Sequence, residues 1–177
     1  MATPLTPAGV KVQGNIKTIF VPTLDMAAPS LAVLTGASAL EITNILYADA
    51  GRYAVDNNTG AAPRRLGTSR TWQQFGTATE SFSSVWRYVI DPQSATGSDG
   101  KKAYEKFTKD TTGFILEVPG IDTDADLAIG QFGRVIPVKF GDRNIIGDPT
   151  DEFAEFVVEQ GIIVTAPGAG ALVQIVA

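Results

Sequence analysis

The chain has no cysteine and no histidine. Lack of cysteine excludes a disulfide framework and thiolate chemistry, and says little about compartment, since proteins of either redox environment can do without it. Lack of histidine removes the commonest general base and the commonest zinc ligand. Charge is also sparse, at 19% of residues with a formal net of −5, which argues against a surface that tracks nucleic-acid phosphates throughout. The opening MATPLTPAGVKVQG has no basic segment followed by an apolar core, so no secretory signal is expected. The least charged stretch, 161–177, is broken by Pro167 and three glycines and is too short to span a bilayer. A soluble protein is expected.

Catalytic and cofactor motifs are missing too. Gly36–Ala37–Ser38–Ala39 has the outline of a nucleophile elbow, but Leu40 stands where a glycine is needed and no histidine is available as base. Gly168–Ala169–Gly170 cannot open a dinucleotide-binding unit, because only seven residues follow it. There is no phosphate loop, and no cofactor is expected. Asp122, Asp124 and Asp126 alternate like the start of a calcium loop, yet Leu127 and Gly133 occupy the positions that an EF-hand gives to glycine and glutamate. A solvated acidic turn is the simpler account, and no metal site is assigned. Carboxylates such as Asp151, Glu152 and Glu155 could serve glycoside hydrolysis only in an aromatic groove, and the chain has two tryptophans.

What the chain does have is β pattern. Its 177 residues, 44% of them hydrophobic, suit one domain spanning 1–177. The clearest segment is 130–165. In its first arm Phe132, Ile136, Val138 and Phe140 are apolar at even positions, Arg134 being the exception. In the second arm Ala154, Phe156, Val158, Ile162 and Val164 do the same with Gln160 as the exception, while Glu155 and Glu159 point the other way. Glycines 141 and 147 with Asp148–Pro149 supply the turn, so a hairpin with one oily and one acidic face is expected. Pro137 would cost a fully paired strand a ladder bond, which places the first arm at an edge or at a bulge.

Elsewhere, alternation from Val10 to Phe20 predicts a long first strand ended by Pro22, and Leu40, Ile42 and Leu46 share a face of a second strand over 40–47. From about 48 to 70 the pattern vanishes into a long extended loop rich in Gly, Asn and Asp, with Arg52, Arg64, Arg65 and Arg70. A compact domain rarely keeps such a loop unused, and its arginines suit acidic groups on a neighbour. Strands follow at 72–79, 82–91 and 114–118, and KKAYEKFTKD is the one convincing helix, short enough to need packing onto a sheet. Residues 166–177 form a C-terminal arm with a last edge strand. The fold class is therefore mainly β, a β-sandwich or partly closed barrel with one flanking α-helix.

Charge is unevenly spread. Residues 1–109 carry 11 basic and 8 acidic groups, whereas 110–177 carry 3 basic and 11 acidic ones. Such polarity suits self-association between unlike faces.

These segments together resemble the major tail tube proteins of long-tailed (siphovirus-type) bacteriophages. The resemblance is carried by VKVQGNIKTIFV, by the loop after ALEITNILY, by KKAYEKF followed by TTGFILEVPG, and by RVIPVKFGDRNI with DEFAEFVVEQG. It implies a non-enzymatic virion protein, assembled in the host cytoplasm, whose six-membered rings stack into a tube that DNA crosses without specific binding. Its partners would be further copies of itself and other tail proteins, with no membrane. Arg52, Arg64, Arg65 and Arg70 would contact the next ring, and Glu155, Glu159, Glu117, Asp122, Asp124 and Asp126 would form an acidic lumen or docking face, with 153–164 the better lumen strand. A capsid decoration or head–tail joining protein is the runner-up, and a small carbohydrate-active β-sandwich enzyme the third alternative.

Overall fold

The first strand, β1 (Ile16–Val21), begins later than its alternation suggests. The Asn15 amide donates to the Val12 carbonyl at 3.0 Å and Gly14 takes a φ of 75°, a turn that leaves Val10 and Val12 in solvent. The computed structural model describes residues 9–63, 66–67 and 71–177. After β1 come a short helix α1 (Leu31–Leu34) and β2 (Leu40–Glu41). The second strand stops early because a side chain takes over from its backbone. The Thr43 hydroxyl accepts from the Thr18 amide at 2.9 Å and donates to the Thr18 carbonyl at 3.3 Å, closing the edge of β1.

The 48–70 segment holds an element its composition conceals. Strand β3 (Tyr53–Ala61) pairs antiparallel with β4 (Gln73–Phe82) in a two-stranded sheet of its own. Arg64, Arg65 and Arg70 lie outside the described residues. Nearly every residue of both strands is exposed, so the apolar alternation that marks a strand is weak here. The ribbon's root is set by Gly51, where an added Cβ would fall 2.1 Å from the Ser84 carbonyl oxygen. That close approach lets the Gly51 amide reach Val85 and the Ser83 amide reach Arg52. The ribbon thereby runs into β5 (Trp86–Val89), the edge of the main sheet.

The main sheet continues with β6 (Thr112–Pro119), β7 (Phe132–Ile146), β8 (Val157–Val164) and β9 (Leu172–Gln174). Its order is β2-β1-β6-β7-β8-β5, all antiparallel, with β9 on β7, and it curls into a half-barrel. Helix α2 (Lys102–Lys106) packs on the sheet's core through Ala103, and the following Phe107 stacks on Phe140 at 4.5 Å between ring centres. Phe20, Trp86 and Tyr88 pack edge-on around Phe107, and Ile115, Ile136 and Val158 complete this core. A second apolar cluster, Ile19, Val21, Leu116, Val118, Val135 and Ile175, lies under α1 and the C-terminal arm. The middle of the sheet is thus buried on both faces, and the first arm of the 130–165 hairpin is oily on both.

Strand β7 is interior at Pro137 and unbulged there. On one flank Pro137 lies opposite Phe114 of β6; on the other, β9 pairs residues 132–134 and β8 begins at Val138. The Pro137 carbonyl accepts from the Thr165 amide at 3.0 Å, which places its nitrogen on that second flank, in the break between β9 and β8. The missing donor costs no ladder bond. The bulge lies further on, between Phe140 and Arg143. The second arm also starts late. Residues 147–156 lie outside any strand, leaving Phe153 and Phe156 exposed, and Gln160 points into the core with Val158 and Ile162.

Candidate functional site

Among the described residues the ribbon strands are the most exposed elements, and three contacts fix their root. Tyr53 and Phe82, directly opposite each other, join the main core. The Glu80 carboxylate accepts the Gly168 amide at 2.8 Å and the Ala169 amide at 3.3 Å, clasping β4 to the C-terminal arm. Those backbone donors, the Gly168 amide first, hold the Glu80 carboxyl below its ordinary range. Burial pushes the Tyr53 hydroxyl up to about 12, and Arg134 stands over its ring at 5.7 Å. At roughly 3.3 Å per residue, the nine residues of β3 reach roughly 30 Å.

The residues singled out from sequence fall into separate groups. Arg52, at the ribbon root, approaches Glu117 of its own chain at 3.9 Å. Glu117 is 6% exposed and is held mainly by its cross-strand partner Arg134 at 2.7 Å. Two arginines therefore enclose this carboxylate. Removing Arg134 would leave a buried charge short of its main partner.

Glu155 and Glu159 belong to a second group around Arg87. Glu159 is the cross-strand neighbour of Arg87, at 3.4 Å, and Asp49 pairs with the same guanidinium. Glu155 precedes β8 and accepts from the Tyr47 hydroxyl at 2.6 Å. Burial, then the Glu155 carboxylate, pushes that phenol up to about 12. Two carboxylates thus pair with one cation on β5, and Glu155 stands beside them on the Tyr47 hydroxyl. Asp49 and Arg87 are the members the sequence did not single out. The signal for Arg87 was its cross-strand register with Glu159, which one strand alone does not display, whereas Asp49 lies in a turn ahead of β3 and meets Arg87 only in the folded chain.

Asp122, Asp124 and Asp126 form a third group, a tight turn in which the Asp122 carboxylate accepts the Asp124 amide at 2.9 Å. Beneath it the buried Lys17 donates to the carbonyls of Thr123 (3.3 Å) and Ala125 (2.7 Å) and pairs with Glu41 at 3.3 Å. The lysine already gives these carbonyls a cationic donor. Among the described residues no group of three or more carboxylates is arranged to hold a metal ion, and no helix is long and apolar enough to cross a membrane.

The geometry thus presents a ribbon anchored at its root and a set of carboxylate clusters on the body. No curated protein matches the chain. A family model described as phage tail tube protein matches residues 3–170. With that match covering nearly the whole mainly β chain, the protein belongs to the phage tail tube protein family and is a structural component of a virion tail.

Proposed function

We propose that copies of this chain close into six-membered rings that stack into a hollow tube, a passive conduit for DNA assembled in the host cytoplasm. The observation that carries this is the β3–β4 ribbon. A two-stranded ribbon is marginal by itself in water, and both of its outer strand edges lack partners among the described residues. A second copy can supply what is missing. Arg64, Arg65 and Arg70, in the connection between β3 and β4, then meet acidic groups of a neighbouring ring, and Arg52 braces the root from within. Glu155 and Glu159 border the lumen or a docking face, where excess negative charge lets DNA slide instead of sticking. Glu117, enclosed by Arg134 and Arg52, ties the sheet to the ribbon root. Asp122, Asp124 and Asp126 form a further acidic rim.

Electron microscopy of the purified protein tests this. Uniform hollow tubes or six-membered rings are expected, and a monodisperse monomer at high concentration would refute it. A joining or decoration protein would give rings or particle-bound copies without tubes. The ribbon's part is tested by excising residues 54–81 and linking Tyr53 to Phe82 through Asn-Gly. These two residues already face each other, so a two-residue turn fits the register. The excised protein should keep its β-sheet circular dichroism and lose stacking. Tubes that persist without the ribbon would remove it from the mechanism.

A further inference from the structure

The cross-strand register gives the ribbon two unlike faces. Thr59 lies opposite Phe75, Val55 opposite Glu80 and Tyr53 opposite Phe82, so Tyr53, Val55, Phe75 and Phe82 share one face. Near the root that face is covered, with Tyr53 and Phe82 in the core. Towards the tip it is bare, with Phe75 81% exposed. Residues 62–75 carry Arg64, Arg65 and Arg70 and no acid.

The opposite combination stands at 147–156, GDPTDEFAEF, with Asp148, Asp151, Glu152 and Glu155 and no base. Phe153 is 83% exposed and Phe156 57%. Local turn chemistry holds them out: the Asp148 carboxylate takes the Thr150 amide at 2.9 Å and the Asp151 carboxylate takes the Phe153 amide at 3.0 Å. Beside Phe153 lies an open cavity of about 440 Å³ walled by Tyr47, Ile146 and Val157, with Glu155 and Arg87 at its rim.

We infer that the apolar ribbon face of one copy docks on the 147–156 loop of a second copy, with Phe75 against Phe153 and Phe156. The partner is a second copy because each chain carries both halves of a match in charge and in bare aromatic surface. The basic ribbon tip and the acidic loop steer the encounter, and the aromatic rings supply the buried area. The contact joins two different patches, so it propagates from copy to copy. The acidic turn at 122–126 is a poorer receiver: it has no aromatic side chain, and Lys17 engages its carbonyls. The inference rests on the self-assembly proposed above and names the surface that receives the ribbon.

A chain without cysteine suits disulfide mapping. Phe75→Cys and Phe153→Cys are made separately, checked for folding by circular dichroism, then mixed and oxidised. A second pair, Thr59→Cys with Phe156→Cys, covers the case in which the first loses the contact, since Thr59 lies opposite Phe75 on the same face. Docking brings the paired Cα atoms within reach of a disulfide, about 4.4–6.8 Å. A cross-linked dimer is expected in at least one mixture, absent from each variant alone and lost when the mixed protein also carries Asp151→Lys and Glu152→Lys. If the parent chain forms tubes and neither mixture cross-links, or single variants cross-link equally well, the docking surface is wrong and the tube proposal stands. If the parent chain neither assembles nor its variants cross-link, both fail.

Discussion

Replacing Gln160 by leucine tests how the half-barrel holds α2. Gln160 is 1% exposed and spends its whole amide on the core. Its Nε2 donates to the carbonyls of Phe107 at 2.7 Å and Gly141 at 3.0 Å, and its Oε1 accepts from the Tyr88 hydroxyl at 2.9 Å. Leucine nearly matches the volume but strands two carbonyls and a hydroxyl. A buried polar group left without a partner costs about 1–3 kcal/mol. The Gly141 carbonyl is only part-buried in this contact and can turn to water, and the leucine gains apolar burial, so a net loss of about 3 kcal/mol is expected. For a chain of this size that is a fall in Tm of about 6–12 °C. Urea unfolding should show a lower midpoint with an unchanged slope. Tyr88→Phe strands only the Gln160 oxygen and should cost about 1 kcal/mol, with the double variant costing less than the two singles added. A Gln160→Leu loss below about 1 kcal/mol would refute the account, because the three groups would then have other partners.

Three further outcomes follow from the same geometry. Gly51→Ala drives a methyl into the Ser84 carbonyl, so amide exchange should speed up through β3 and β4 while β6 and β7 stay protected. Glu80 has a depressed folded pKa, so its contribution is present above the unfolded carboxyl value of about 4.3 and is lost as pH falls through the folded value; Gly168 and Ala169 amides should lose protection in that acid window, and Glu80→Gln should abolish the pH dependence. Lys17→Met leaves the Thr123 and Ala125 carbonyls without their donor and should cost about 1–3 kcal/mol, read as a lower urea midpoint with loosening confined to the 122–126 turn.

Much of this architecture is legible wherever a segment buries apolar side chains. The 130–165 hairpin, the strand at 114–118 and the short helix at KKAYEKF form where apolar side chains of their own pattern are buried, and the last strand of the C-terminal arm forms beside the buried Ile175. Where stability comes from elsewhere, pattern misleads. Val10 and Val12 alternate like a strand, yet a turn at Gly14 separates them from the sheet. Asp56, Asn57, Asn58 and Thr59 read as loop and yet form β3, since a ribbon exposed on both faces is held by backbone pairing and by its anchored root.

The candidate site divides along the same line. The polarity of charge, the cluster of arginines in the 48–70 segment and the lack of histidine and cysteine are properties of composition, and the self-associating reading starts from them. Tertiary structure decided which charges are free. It enclosed Glu117 between Arg134 and Arg52, set Glu159 and Asp49 on Arg87, and placed Pro137 in the gap between two partner strands. A strand's own alternation states what it wants to bury, whereas cross-strand register, which depends on how distant segments align, determines what each charge meets.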